Sequence, residues 1–173
     1  MKIKTSDIQT FNDLPEYKYW NEQISKSDNY LMHEIIKEKN SSDIFYHIMF
    51  YVNERKTTPQ EFTINAKTSV IEEITIFVSD NQRNDSILNN VNINYNLKSI
   101  NLILDECTDD WNGRFFKVEK ENDFLWTYKR KTYYFLFSDC PSSLQAYYIC
   151  KHCMLLIDNN DCIQGVIINT DTS

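Results

Sequence analysis

Only two of the 173 residues are glycine, Gly113 and Gly165, and only three are proline. Glycine is what lets a backbone turn left-handed and approach a ligand with no Cβ in the way. Loops that cradle phosphate through successive backbone N–H groups need several glycines at close spacing. This chain cannot supply them, and it has no Gly-x-Ser-x-Gly nucleophile turn. Its turns must come from other residues, and 19 Asn against two Ala show which. Residues with AT-rich codons are abundant and those with GC-rich codons scarce, so genome base composition accounts for the Asn excess. The excess still has a physical consequence, because Asn favours turns and caps over element interiors. It predicts that the Asn-dense stretch 81–96 is irregular or short-stranded.

With 42% hydrophobic and 25% charged residues, the chain has the profile of a soluble globular protein. The order of patterns predicts an α+β fold. Asp13-Leu14-Pro15-Glu16 reads as a capped helix start, followed by Tyr17, Trp20 and Ile24 at spacings of three and four, which predicts a helix over 14–25. Ser27-Asp28 followed by Leu31, Ile35 and Ile36 predicts a second, ending near Asn40. The run 44–52 carries a cap-like prefix, but its aromatic and β-branched residues favour a buried strand. Further strands are expected at 61–65, 72–78 and 100–104. An aromatic-rich antiparallel meander is expected over 115–118, 124–128 and 132–137. A mostly apolar helix over 142–157, a closing strand at 163–168 and a frayed tail at 169–173 complete the reading. The expected sheet is mainly antiparallel. No internal repeat and no long linker stands out, so residues 1–173 read as a single domain.

The net charge of −7 is concentrated. Residues 61–112 hold three basic and nine acidic groups, whereas the segments on either side are close to neutral. A negative field repels phosphate backbones and attracts cationic surfaces. Direct nucleic-acid binding is therefore not expected, and a basic protein is the expected partner. No apolar run is long enough to span a bilayer and no signal-peptide pattern follows Met1, so no membrane association is expected. Five cysteines, an odd number, and no export signal point to reduced thiols in the cytoplasm.

Four carboxylates crowd into Asp105, Glu106, Asp109 and Asp110, beside Trp111. Such a cluster suits a metal site, a two-carboxylate hydrolase, a protein-binding patch with Trp111 as anchor, or a solvated turn with Trp111 packed inward. The alternating ligand spacing of a calcium loop is absent. Cys150 and Cys153 invite a zinc or redox reading, but within an apolar segment they read first as core thiols. His33, His47 and His152 belong to no metalloprotease or deaminase signature. The leading expectation is a non-enzymatic acidic domain that neutralises a basic partner, in the manner of an immunity protein against a bacterial nuclease-type toxin. Glu72, Glu73, Asp105, Glu106, Asp109, Asp110 and Trp111 would meet that partner, with no cofactor or metal. The alternatives are a metal-dependent hydrolase using the Asp105–Asp110 segment, and a viral or mobile-element inhibitor of a host defence protein.

Overall fold

Two side chains four residues apart share one face of a helix, and they also share one face of a strand. Leu31 and Ile35 obey both rules. The neighbours decide: Leu31, His33 and Ile35 are buried while Met32, Glu34 and Ile36 are only half-buried, a period of two. The computed structural model describes residues 2–8, 19–25, 30–36, 44–51, 60–68, 70–103, 109–111, 114–121 and 124–171. Among them, no helix longer than a short 3-10 turn occurs, so the expected α+β architecture gives way to a mostly β one. No helix of these residues is long and apolar enough to cross a membrane.

The strands are β1 (Lys2–Ile8), β2 (Tyr19–Ser25), β3 (Tyr30–Ile36), β4 (Phe45–Tyr51), β5 (Gln60–Asn65), β6 (Ile71–Ser79) and β7 (Asn92–Ile103). There follow β8 (Asp109–Trp111), β9 (Arg114–Glu121), β10 (Phe124–Lys129), β11 (Thr132–Phe137), β12 (Ser143–Cys150), β13 (Cys153–Ile157) and β14 (Ile163–Asn169). The two expected N-terminal helices are corrected to β2 and β3, which pair antiparallel from Tyr19↔Ile36 to Ser25↔Tyr30. The expected buried helix over 142–157 is corrected to the hairpin β12–β13, with Cys150 opposite Cys153. Every residue of β13 is buried, so this strand shows no alternation. A strand covered on both faces reads as a continuous apolar run, which periodicity cannot separate from a buried helix. The strands expected near 44–52, 61–65, 72–78 and 163–168 are present as β4, β5, β6 and β14. The meander is corrected: β10 pairs with β11, but β9 lies in the other sheet, parallel to β4.

There are two seven-stranded sheets, ordered β2-β3-β6-β5-β4-β9-β8 and, read from its other edge, β10-β11-β14-β13-β12-β7-β1. They belong to two compact units, the first comprising 17–80 and 102–122 and the second 2–16, 81–101 and 123–173. Five strands of each run in the same order, whereas the flanking pair follows them in the chain in the first unit (β8, β9) and precedes them in the second (β1, β7). Each has a hairpin (β2–β3 or β10–β11) and a three-strand meander (β4–β5–β6 or β12–β13–β14). In each, the meander's last strand pairs back with the hairpin, and a parallel strand (β9 or β7) flanks its first. Even the irregularities correspond. In β6 the step from Thr63↔Glu73 to Ile64↔Ile71 leaves Glu72 as the extra residue of a bulge. In β14 the step from Leu156↔Gly165 to Ile157↔Ile163 leaves Gln164. The five-strand core is a topological duplication, although the sequence shows no repeat.

In the first unit one sheet face buries Leu31, His33, Ile35, Ile48, Phe62, Ile74, Ile76 and Val78. In the second, Phe124, Trp126, Tyr133, Phe135 and Phe137 form a ladder of ring contacts with centroids 5.0–6.2 Å apart. Its opposite face packs Leu136, Leu144, Ala146, Met154, Leu156 and Ile167 together. The Asn-dense stretch begins with 3-10 turns at Asp80–Gln82 and Ile87–Asn90 and then enters β7, longer than the 100–104 strand expected. At the other end the chain is held through Asp171, since Thr170 N–H donates to Lys131 O at 2.8 Å and Lys131 Nζ to Asp171 at 3.2 Å.

Candidate functional site

The shared bulge aligns the two sheets residue by residue. Counting from it, one cross-strand row of the second unit reads Ala146, Leu156, Gly165, Leu136. The same row of the first unit reads His47, Thr63, Glu73, Ile36. The adjacent row reads Tyr148, Met154, Ile167, Tyr134 in the second unit and Met49, Glu61, Thr75, Glu34 in the first. One fold has thus filled the same eight positions in two ways. The second unit uses them for a close-packed apolar face with no charge. The first places three carboxylates, two threonines and an imidazole there. Burying polar groups costs free energy unless each is satisfied, so a face that tolerates them where its twin does not is the candidate site.

At its centre His47 Nδ1 lies 2.5 Å from Glu61 Oε1. A carboxylate only accepts, so the Nδ1–H tautomer of His47 donates. Thr63 Oγ1 donates to the same Glu61 oxygen at 3.5 Å and lies 3.5 Å from the same His47 nitrogen. The side chains of His47 and Glu61 are 14% and 27% exposed. In a nucleophile–base–acid relay the hydroxyl and the carboxylate engage opposite ring nitrogens. Here both meet Nδ1, and Thr63 has no solvent exposure. The geometry is that of a positioned, half-buried polar surface and not of an activated nucleophile. Among the described residues, no three His, Cys, Asp or Glu side chains converge to hold a metal ion.

The chain matches no protein-family model and no curated protein.

Of the residues singled out from sequence, Glu73 lies within this face. Asp109 joins its first row by register, since Phe116 pairs with both His47 and Asp109. Asp110 and Trp111 follow it in β8, paired with Phe115 and Arg114, at the edge of the same sheet. Asp105 and Glu106 lie outside the described residues. Glu72 is placed differently: it is 5% exposed and its Oε1 accepts from Asn65 Nδ2 at 3.1 Å. Asn65 Oδ1 meanwhile accepts from the N–H groups of Lys67 and Thr68. The second unit repeats this lock with the groups exchanged. Asp158 Oδ1 accepts from the N–H groups of Asn160 and Cys162, and its Oδ2 accepts from Gln164 Nε2 at 2.7 Å. Each bulge residue therefore closes its own hairpin, Asn with Glu in one unit and Asp with Gln in the other. Glu72 serves the turn and not the surface.

No motif marks Glu34, Glu61, Thr63 or Thr75, and His47 stands out in the sequence only as a histidine outside any metalloprotease or deaminase signature. The available signal was strand alternation, which puts Glu61 and Thr63 opposite Phe62 and Ile64, and Glu73 and Thr75 opposite Ile74 and Ile76. The cysteine pair sits where a core reading puts it. Cys150 and Cys153 are 1% and 0% exposed, and burial pushes the Cys150 thiol up to about 12 and that of Cys153 well above its ordinary value. Thiols held protonated by desolvation are poor nucleophiles and poor metal ligands.

Proposed function

We propose that the protein is a non-enzymatic, acidic binding domain that acts in the cytoplasm by neutralising a basic protein, in the manner of an immunity protein against a nuclease-type toxin. The observation that carries this reading is the polar face of the first unit, where Glu34, Glu61 and Glu73 occupy positions that the twin sheet fills with apolar residues and glycine. The local charge supports it. By sequence the first unit, 17–80 and 102–122, holds 16 acidic and ten basic residues, so six of the seven net negative charges of the chain fall in it. Carboxylates on the central strands of a sheet are held by the backbone, so little side-chain entropy is lost when a Lys or Arg is received. The lysines and arginines that a nuclease uses on phosphates are matched ligands for such a surface. Free thiols at Cys150, Cys153 and Cys162 agree with a reducing compartment.

The test is association kinetics with a basic nuclease domain across a salt series. The expected result is a 1:1 complex whose association rate falls steeply as salt is added, with a further fall for Glu73→Lys and Glu34→Lys. An association rate indifferent to both salt and charge reversal overturns the reading.

A further inference from the structure

β10 ends the second sheet, and an edge strand presents a row of backbone groups with no partner strand. In this protein that row is occupied. Gln82 Nε2 donates to Phe124 O at 2.9 Å, and Asn84 N–H donates to Trp126 O at 2.8 Å. Thr127 Oγ1 donates to Asp85 Oδ1 at 2.9 Å, which satisfies a hydroxyl that is 1% exposed. Arg83 forms a parallel bridge with Trp126, sets its guanidinium 5.5 Å from the indole centroid, and donates through Nε to Asp85 at 2.9 Å. Four consecutive residues thus cover the outer side of the strand, and none of them is part of a strand itself. Ile87, Leu88 and Val91 then pack on the apolar face of the same sheet.

The anchors at the edge differ from those that follow. Ile87, Leu88 and Val91 are half-buried and apolar, whereas the Arg83 and Asp85 side chains are 50% and 64% exposed. The part lying on the edge is held by a few polar contacts, of which the Arg83–Asp85 pair is exposed, and single bonds of this kind contribute little each.

We propose that residues 82–85 are an edge guard, which occupies β10 and thereby prevents a second copy of this chain from adding to the sheet through that strand. The strand is self-complementary. The carbonyls of Phe124 and Trp126 point away from β11, so an antiparallel pairing of two β10 edges centres on Trp126 facing Trp126 of the second copy. That register sets Phe124 opposite Tyr128, an aromatic cross-strand pair on each side of the centre. Tyr128 is already 42% exposed. A second copy therefore fits the uncovered edge in both hydrogen-bond pattern and side-chain type.

The experiment compares the full chain with a Gln82→Ala, Asn84→Pro, Asp85→Ala variant, in which the hydrogen bonds joining residue 82 to Phe124, residue 84 to Trp126 and residue 85 to Thr127 are removed. Mass in solution is read by light scattering over a concentration series, and folding by circular dichroism. The expected result is a folded variant whose mass doubles relative to the unaltered protein, returning to the original value when Tyr128→Lys is added. A folded variant of unchanged mass overturns the proposal, as does a doubled mass that Tyr128→Lys leaves intact. If the triple variant does not fold, Gln82→Ala with Asp85→Ala keeps the backbone donor and is read in the same way. Loss of fold in that variant also overturns the proposal, because the segment is then part of the frame of the unit.

Discussion

His33 has no solvent exposure in the centre of β3, and desolvation lowers its pKa from 6.5 to about 4. The folded state therefore holds it neutral, while the unfolded chain protonates near the ordinary value. The sign follows from linkage: the unfolded state binds the extra proton, so stability is complete above pH 6.5 and is lost as pH falls toward 4. The loss from this one group amounts to roughly 3 kcal/mol. Denaturant titrations at pH 7 and pH 4.5 should show His33→Leu losing much less stability on acidification than the parent; equal losses would remove His33 as the cause. A second consequence concerns scarce glycine. The two-residue turn joining β10 to β11 holds Arg130 and Lys131 at φ values of 51° and 61°, the left-handed region that hairpin turns ordinarily give to Asn and Gly. Each non-glycine residue there costs about 1–2 kcal/mol. Lys131→Gly is expected to raise stability by about 1 kcal/mol, because the exposed ion pair with Asp171 that it removes is worth little. A melting temperature unchanged or lowered would show that the turn is relaxed as it stands. At this scale the sequence pointed to Asn for the turns, whereas these left-handed positions fall to Arg130, Lys131 and Asp161.

Elements were harder to read than residues, for identifiable reasons. Leu31 and Ile35, or Trp20 and Ile24, are four apart and satisfy helix and strand alike. Ser, Asp and Asn at 27–29 are residue types that cap helices and also close hairpins. The run 153–157 is buried throughout and gave no period at all. Where alternation was clean, as in Ile74, Ile76 and Val78, strand and boundaries came out close to β6. The polar face was legible only in halves, because its members Glu34, His47, Glu61 and Glu73 come from four strands whose order no local pattern encodes. Gly165 shows how tightly one of those orders is enforced. A Cβ built there would lie 2.2 Å from Phe135 O, in the neighbouring strand β11. The obstacle is backbone and cannot rotate away, so Gly165→Ala must push β14 from β11. The expected cost is about 2–3 kcal/mol, at the upper end for overpacking, measurable as a lower denaturant midpoint. A variant as stable as the parent would mean that the two strands separate freely there.

For the molecule as a whole, the duplication supplies its own control. Two sheets built on one five-strand core share hairpin, meander, bulge and a flanking parallel strand, yet at equivalent positions one holds His47, Glu61 and Thr63 and the other Ala146, Met154 and Leu156. The backbone therefore does not require the polar set, since its twin does without it. Had stability been the only demand, apolar residues would serve as well or better, because replacing buried polar networks with packed hydrophobic groups is often neutral or stabilising. Transplanting the twin's residues separates the two roles. His47→Ala, Glu61→Met and Thr63→Leu together should leave a folded protein that melts within a few degrees of the parent or above it. The same variant should associate with a basic nuclease domain more slowly, with a shallower dependence on salt, because one of the three carboxylates and the imidazole that orients it are gone. Salt-dependent association at the parental rate would move the binding surface elsewhere on the chain. Collapse of the fold would instead make the polar set a structural requirement of the first unit, and the contrast between the two sheets would then reflect packing rather than recognition.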